Sequence, residues 1–178
     1  MSLEQKINNL ETDLHIMGTL VLDSLVGAVR ALEDKDTLKA SEVMDKDDEI
    51  DDAYMKIDQD WFELMATEQP VASDLRLSTS ILQASLHLER LGDLSVYLGK
   101  TTHEIHDLPI PESLHKIVVE MGDMVIDMAS SALESLKNRD AELALSTARK
   151  DELINSLYNK MLNAVSYTHL RAHETRTN

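Results

Sequence analysis

A repeat with a fixed spacing of 104 residues constrains this chain more than any other feature of its sequence. Residues 17–57 align with residues 121–161 without a gap, and 13 of the 41 aligned positions are identical. Ordinary residue frequencies would give about 2 or 3 identities by chance. The chain therefore uses one supersecondary unit twice, which predicts a small helical bundle followed by a copy of itself.

The repeated unit has the pattern of long helices. Glycine occurs 5 times and proline 3 times in 178 residues, and aromatic residues make up only 3%, a composition that favours helix over sheet. We predict a first helix over residues 3–32, a second from residue 37 to about 66, and a third from about 71 to 103. The first helix carries apolar residues at alternating steps of three and four: Leu3, Ile7, Leu10, Leu14, Met17, Val21, Leu25, Ala28 and Leu32.

These helices predict an all-α fold of tandem three-helix bundles, the second lacking its third helix. The first repeat covers residues 1–106, a linker with Pro109 and Pro111 covers 107–112, and the incomplete second repeat covers 113–165. The counterpart of the third helix would begin only near residue 174. Residues 166–178 lose the apolar period and are net positive, unlike the acidic chain before them, which predicts a foreign or disordered tail.

Charge and composition exclude several classes of function. The chain has 33 acidic and 17 basic residues, a net charge of −16. Such a chain repels nucleic-acid phosphates and has no basic face for an anionic membrane. It contains no cysteine, which excludes thiolate metal sites and cysteine nucleophiles. We recognise neither a signal peptide nor a membrane span, so we predict a cytoplasmic protein.

Four acidic residues are the candidates for a functional site. Glu89 and Asp93 are spaced i, i+4 on the third helix, and Asp47 interrupts the apolar seam of the second helix, with Asp51 one turn later. Carboxylates that face the inside of a bundle need a cationic partner, a proton or a bound cation. Arg90 and Lys46 project about 100° away from them.

The residue types at these positions indicate which cation could bind. Clustered oxygen ligands suit Mg²⁺, Ca²⁺, Mn²⁺ or iron, whereas the lack of Cys and of a seam His disfavours zinc and copper. The alternative is a half-exposed acidic groove that binds nothing. His103 and His106 come where the third helix gives way to the linker, so we predict that they are solvated. No catalytic motif is present, and the Glu-x-x-His pair of di-iron bundle enzymes is missing from these seams, so we predict no enzyme.

Two strings in the first repeat resemble a known family. The sequence QPVASDLR at residues 69–76, followed by LERLGD at residues 88–93, is similar to the PhoU family of phosphate-uptake regulators. The opening pattern Met17-Gly18 and the acidic stretch at residues 47–51 are similar to the same family. The resemblance covers about residues 3–165.

The resemblance implies tandem three-helix bundles and a set of functional expectations. It implies that E/DxxxD motifs bind iron or another divalent metal ion, with manganese, magnesium and zinc as alternatives, and these motifs correspond to Glu89/Asp93 and Asp47/Asp51. It implies an adaptor that links the phosphate ABC transporter ATPase to a sensor histidine kinase and restrains phosphate uptake and phosphate-starvation signalling. Homodimers are expected. Alternatives are an accessory domain of a sodium/phosphate cotransporter and a purely structural helical scaffold.

The second repeat departs from this family pattern at one acidic position. The counterpart of Asp51 is Asn155, so the pair Asp151/Asn155 makes a weakened motif. A second metal cluster is therefore not expected in this chain.

Overall fold

A computed structural model describes the backbone of residues 1–174 and the side chains of residues 1–165. All side chains of the predicted tail at 166–178 therefore lie outside the described part of the chain. Residues 1–174 contain helices and no strand, as the sequence predicted. Two compact units divide the chain, unit 1 over Met1–Glu104 and unit 2 from Ile105 onward. The helices are α1 (Leu3–Asp34), α2 (Thr37–Asp45), α3 (Asp47–Glu68), α4 (Ala72–Ile105), α5 (Glu112–Asn138), α6 (Ala141–Arg149) and α7 (Asp151–Glu174).

The same turn ends α1 and α5. Lys35 and Arg139 adopt left-handed conformations with φ of 55° and 53°, and they are 104 residues apart. The next residue caps the following helix in both units. Asp36 accepts hydrogen bonds from the Leu38 and Lys39 amides, and Asp140 accepts one from the Leu143 amide. The repeat seen in the sequence is therefore a repeat of backbone structure.

The predicted second helix is wrong in one respect, because it is two helices. α2 ends at Asp45 and α3 begins at Asp47, with Lys46 between them at φ −90° and ψ −2°. The Lys46 amide bonds to the Val43 carbonyl, three residues back, at 3.3 Å. This tighter turn redirects the chain without glycine or proline. The equivalent break occurs at Lys150 between α6 and α7.

The core of unit 1 is built on α1. Its predicted apolar seam is confirmed from Ile7 to Leu32, and Met17, Val21 and Ala28 are wholly buried. α3 contributes its buried residues Ile50, Ile57 and Leu64 to this core. By length and hydropathy alone α1 could cross a membrane, but half of its most apolar window is buried within the protein. That burial is typical of a core helix in a bundle.

The leucines Leu77, Leu91 and Leu98 of the third predicted helix do not lie in the buried seam of α4. All three are only half-buried. Most residues of the buried seam are small, and they allow neighbouring backbones to approach closely. A Cβ on Gly99 would lie 3.1 Å from the Ala40 carbonyl oxygen of α2. The buried residues of α4 are Ser78, Ile81, Ser85, Leu88, Gly92, Ser95, Gly99 and Thr102.

The hydroxyl groups in this seam are satisfied within α4 itself. Ser95 donates to the Leu91 carbonyl at 3.0 Å, and Thr102 donates to the Leu98 carbonyl at 2.9 Å. Burying these hydroxyls therefore leaves no unpaired polar group, and serine can serve as a small packing residue. A hydrophobic pattern in the sequence favours leucine over serine for buried positions, so it cannot predict this seam.

Unit 2 buries far fewer of its described side chains than unit 1. An ion pair joins α5 to the break after α6, with Lys150 Nζ 2.5 Å from Asp127 Oδ2. Apolar residues such as Leu145 and Leu153 are exposed. The buried side chains among residues 105–165 are Val119, Ser135, Thr147 and Leu157.

Candidate metal centre

The start of α3 meets the middle of α4 at a glycine. A Cβ on Gly92 would lie 3.1 Å from Ile50 Cγ2 and 3.7 Å from Asp47 Oδ1. Gly92 therefore allows α4 to lie directly against Asp47 and Ile50. Because Glu89 and Asp93 flank Gly92 on α4, this contact brings the two predicted acidic pairs to one place.

The four carboxylates are not equally buried. Asp47 and Glu89 are half-buried, whereas Asp51 and Asp93 are exposed. The prediction that Asp93 faces the bundle interior is therefore wrong. The residue that enters the seam is its neighbour Gly92, and Asp93 projects about 100° from it, towards solvent at the rim of the contact.

Burial and mutual repulsion raise the pKa of both half-buried carboxyl groups. For Asp47, loss of hydration is the largest cause, followed by the negative charges of Asp51 and Asp93, while Lys100 opposes the shift. For Glu89, loss of hydration again comes first, followed by Asp93 and Asp51, while Arg90 opposes it. Both half-buried carboxyl groups are thus affected by the negative charges of Asp51 and Asp93. Lys100 and Arg90 reduce this repulsion without cancelling it.

The donor set fits a hard cation by its chemistry, because every candidate ligand is a carboxylate oxygen. The side chains are not arranged as a finished site. Among the described residues, no three Asp, Glu or His side chains converge closely enough to hold a metal ion. The arrangement is an acidic cluster across two helices, and its uncompensated repulsion is the property that a cation would relieve.

Replacing Asp47 by Asn tests this repulsion without any metal. Because the folded-state pKa of Asp47 is raised, its ionised form costs stability above that pKa, and the cost disappears as the pH falls to its ordinary value of 3.8. In chelator at pH 7.5, we expect Asp47→Asn to stabilise the protein by about 0.5–1 kcal/mol. This corresponds to roughly 1–4 °C in Tm by calorimetry.

The control for this experiment is Asp52→Asn, which removes an exposed charge from the same helix. It should leave Tm nearly unchanged. The advantage of Asp47→Asn should also vanish near pH 4. A variant that is less stable than the parent at pH 7.5 would show that Asp47 is stabilised, not strained, by its neighbours.

In the second repeat, the aspartate at the equivalent position pairs with an amide. Asn155 Nδ2 donates a hydrogen bond to Asp151 Oδ2 at 3.0 Å. In unit 2 this aspartate therefore has an amide as its neighbour one turn later. Its counterpart in unit 1 has a second carboxylate there. The hydrogen bond is a direct consequence of asparagine at the position equivalent to Asp51.

The histidines near the end of α4 lie outside this cluster. His103 Nε2 is 3.0 Å from Ser41 Oγ of α2, and His106 Nε2 is 2.8 Å from Asp107 Oδ2. Both residues are exposed, as predicted. Sequence reasoning did not identify Lys100 as a charge near Asp47, because Lys100 is seven residues beyond Asp93 and becomes relevant only when α4 is placed against α3.

A family comparison matches both halves of the chain. The model of the PhoU domain matches residues 14–102 and again residues 118–177. The two matches follow the repeat found in the sequence and the two compact units of the structure.

Named relatives agree with this match. Proteins of Pseudomonas putida and Pseudomonas aeruginosa, each named a phosphate-specific transport system accessory protein PhoU homolog, are 32% identical to this chain over 157 residues. The alignments cover 88% of this chain but only 61% and 65% of those relatives, so the chain spans less than two thirds of their length. A Clostridium acetobutylicum homolog is 31% identical, with 90% of this chain and 73% of the relative covered.

Solved structures show the same fold. The crystal structure of PhoU from Pseudomonas aeruginosa has a TM-score of 0.92 at 28% identity, covering 99% of this chain and 84% of that one. A phosphate transport system regulatory protein PhoU from Streptococcus pneumoniae has a TM-score of 0.82 at 28% identity, covering 90% of this chain and 75% of that one.

Proposed function

Because this chain belongs to the PhoU family, we propose that it restrains phosphate uptake and phosphate-starvation signalling as an adaptor protein. The family match over both repeats is the observation that carries this proposal. The relatives are named as accessory proteins of a phosphate-specific transport system. The proposed role is therefore contact between proteins and not catalysis.

The proposed partners are the ATPase of the phosphate ABC transporter and a sensor histidine kinase. Such an adaptor acts in the cytoplasm, where a transporter ATPase and a kinase domain are both accessible, and we propose that it works as a homodimer. The net charge of −16 supports protein partners over nucleic acid or an anionic membrane surface.

A starvation reporter tests the adaptor role in cells. The chain would be expressed in a bacterium whose own PhoU-family gene is deleted, with a reporter driven by a phosphate-starvation promoter. We expect the chain to repress the reporter in phosphate-rich medium and to co-purify with the transporter ATPase and the kinase. Full reporter activity despite normal levels of folded protein would contradict the proposal.

We also propose that the acidic cluster binds iron or another divalent metal ion, such as manganese, magnesium or zinc. Asp47 and Asp51 of α3 and Glu89 and Asp93 of α4 would hold it. A bound cation supplies positive charge between two helices whose carboxylates otherwise repel. Its support is the close contact of α4 with α3 at Gly92, together with the raised pKa of Asp47 and Glu89, which burial and the neighbouring carboxylates cause. The bound ion would fix α3 against α4 and stabilise one arrangement of unit 1.

Removing both α4 carboxylates should remove the metal. We expect the double variant Glu89→Gln with Asp93→Asn to lose co-purifying metal, measured by elemental analysis of the purified protein. Saturating Mn²⁺ at about 100 times Kd stabilises a binding protein by about 2.7 kcal/mol, so the parent should show a clear rise in Tm. The double variant should show almost none.

A charge-matched control is available on α3. Asp48→Asn with Asp52→Asn removes two exposed charges of α3 outside the proposed ligand set. This control should keep both the metal and the rise in Tm. Equal metal content in all three proteins would overturn the site, while the reporter experiment would still test the adaptor role on its own.

A further inference from the structure

A cavity of about 240 Å³ lies in unit 1, where α1 passes the break between α2 and α3. Its wall contains residues of all three helices and the lysine at the break. Pockets for drug-sized ligands occupy about 300–1,000 Å³, so this cavity suits a smaller molecule. The polar and charged residues that line it are Asp23, Ser24, Lys39, Glu42, Lys46 and Glu49.

The five charged side chains in this wall are unpaired. Within residues 1–165 they form no ion pair and no hydrogen bond, although the wall contains two lysines and three carboxylates. Asp23 and Lys46 are exposed, so they lie where the cavity meets solvent. Both signs of charge are therefore accessible to a ligand at this place.

A buried hydroxyl group belongs to the same wall. Ser24 is 6% exposed, and its Oγ has no hydrogen-bond partner in the described part of the chain. The buried serines of α4, by contrast, all donate to carbonyls of their own helix. A buried polar group without a partner costs free energy, which a hydrogen bond from a ligand would offset. The counterpart of Ser24 in unit 2 is Met128, whose side chain is longer and needs no hydrogen bond.

In the second repeat, the equivalent aspartate and lysine pair with each other. Asp127 and Lys150 are the counterparts of Asp23 and Lys46, and they form the ion pair between α5 and the break after α6. The three other charged positions have uncharged counterparts in unit 2, which are Leu143, Ser146 and Leu153. The unpaired charges around the cavity therefore distinguish unit 1 from its copy and are not a general property of the repeat.

We propose that this cavity binds a small zwitterion of the neutral polar α-amino acid class. The ammonium group of the ligand pairs with the carboxylates of the wall, and its carboxylate pairs with Lys39 and Lys46. Its polar side chain supplies the hydrogen bond that Ser24 lacks. A cation alone would leave both lysines unpaired, and an anion alone would leave three carboxylates unpaired. None of these charged residues is among the four proposed metal ligands, so the site is separate from the acidic cluster.

Ligand-observed NMR titrations of the full chain in chelator, with L-serine, L-asparagine and L-glutamine, test this site. The three amino acids share one zwitterionic group and differ in the reach of the side chain. We expect at least one of them to bind saturably. Ser24→Met, which introduces the residue of unit 2, should fill part of the cavity and raise the Kd at least about tenfold.

A second variant keeps the test independent of whether Ser24→Met folds. Asp23→Asn changes an exposed residue, so it should keep the Tm of the parent while raising the Kd at least about tenfold. The matched control is Asp127→Asn, which removes the equivalent carboxylate from unit 2 and should leave the Kd unchanged.

Analogues of the amino acid that binds test whether both of its charges are needed. For L-glutamine, glutaramate lacks the ammonium group and 4-aminobutanamide lacks the carboxylate. Each analogue should bind at least about tenfold more weakly than the zwitterion.

The proposal would be overturned if none of the three amino acids bound the parent chain. It would also be overturned if Asp23→Asn left the Kd unchanged or if Asp127→Asn raised it equally, since the ligand would then lie elsewhere. An analogue with a single charge that bound as tightly as the zwitterion would show that the paired charges do not select the ligand.

Discussion

Replacing Ile50 by Ala is expected to destabilise unit 1 by about 3 kcal/mol, within the range typical of a fully buried aliphatic side chain. Ile50 is 1% exposed and lies under Gly92, where α3 meets α4. The variant removes side-chain burial and leaves a cavity in the contact that holds the acidic cluster. Hydrogen exchange of the α1 amides, measured in the full chain under native conditions, reports the stability of this unit separately.

The internal repeat supplies the matched control for this variant. Ile154 occupies the equivalent position in unit 2 but is half-exposed. Ile154→Ala should therefore cost only about 1 kcal/mol, because less apolar surface leaves the protein interior. The same substitution at equivalent positions should thus give different losses. Equal losses in the two units would mean that the face around Ile154 is covered in solution.

Replacing Gly99 by Leu is expected to destabilise the protein by about 2–3 kcal/mol, the cost of overfilling a packed contact. A Cβ at this position already lies 3.1 Å from the Ala40 carbonyl oxygen and 3.0 Å from Met44 Cγ. Met44 can turn aside, but the backbone of α2 cannot move without disturbing α1. The chemical-denaturation midpoint followed by circular dichroism should therefore fall.

Two further variants identify the cause of this loss. Tyr97→Leu introduces the same residue at a position of α4 that is 67% exposed, and it should change stability by less than about 0.5 kcal/mol. Adding Met44→Ala to Gly99→Leu should restore only part of the loss, because the carbonyl contact remains. Complete recovery would show that side-chain crowding alone requires glycine at position 99.

The features that could be predicted are those that follow from the spacing of hydrophobic residues or from the identities shared by the two repeats. The seam of α1 is a row of large apolar residues on one face, and its burial follows directly from that pattern. The second helix could be placed from residue 37 onward because the aspartate before it, Asp36, is a good N-cap residue. The grouping of Asp47 with Glu89 followed from their interruption of apolar seams.

The features that could not be predicted depend on how closely the backbones of neighbouring helices approach each other. Serine and glycine pack the seam of α4 only because α2 and α3 come close enough to touch them, and sequence spacing alone favoured the leucines beside them. The outward position of Asp93 follows from the same displacement of the seam. The break at Lys46 carries no glycine or proline signal, so a continuous periodic pattern concealed it.

The hydroxyl groups of the α4 seam bond only to carbonyls of α4 itself, at spacings of three and four residues. The register of α4 along its neighbours is therefore set by shape, because none of these hydrogen bonds would break if the helix slid. Ser78, Ser85, Gly92 and Gly99 recur every seven residues, so a shift of about 10 Å would place one small residue where the next had been. The bond between His103 and Ser41 exists in only one of these alignments, which makes an exposed contact at the end of α4 a marker of correct assembly.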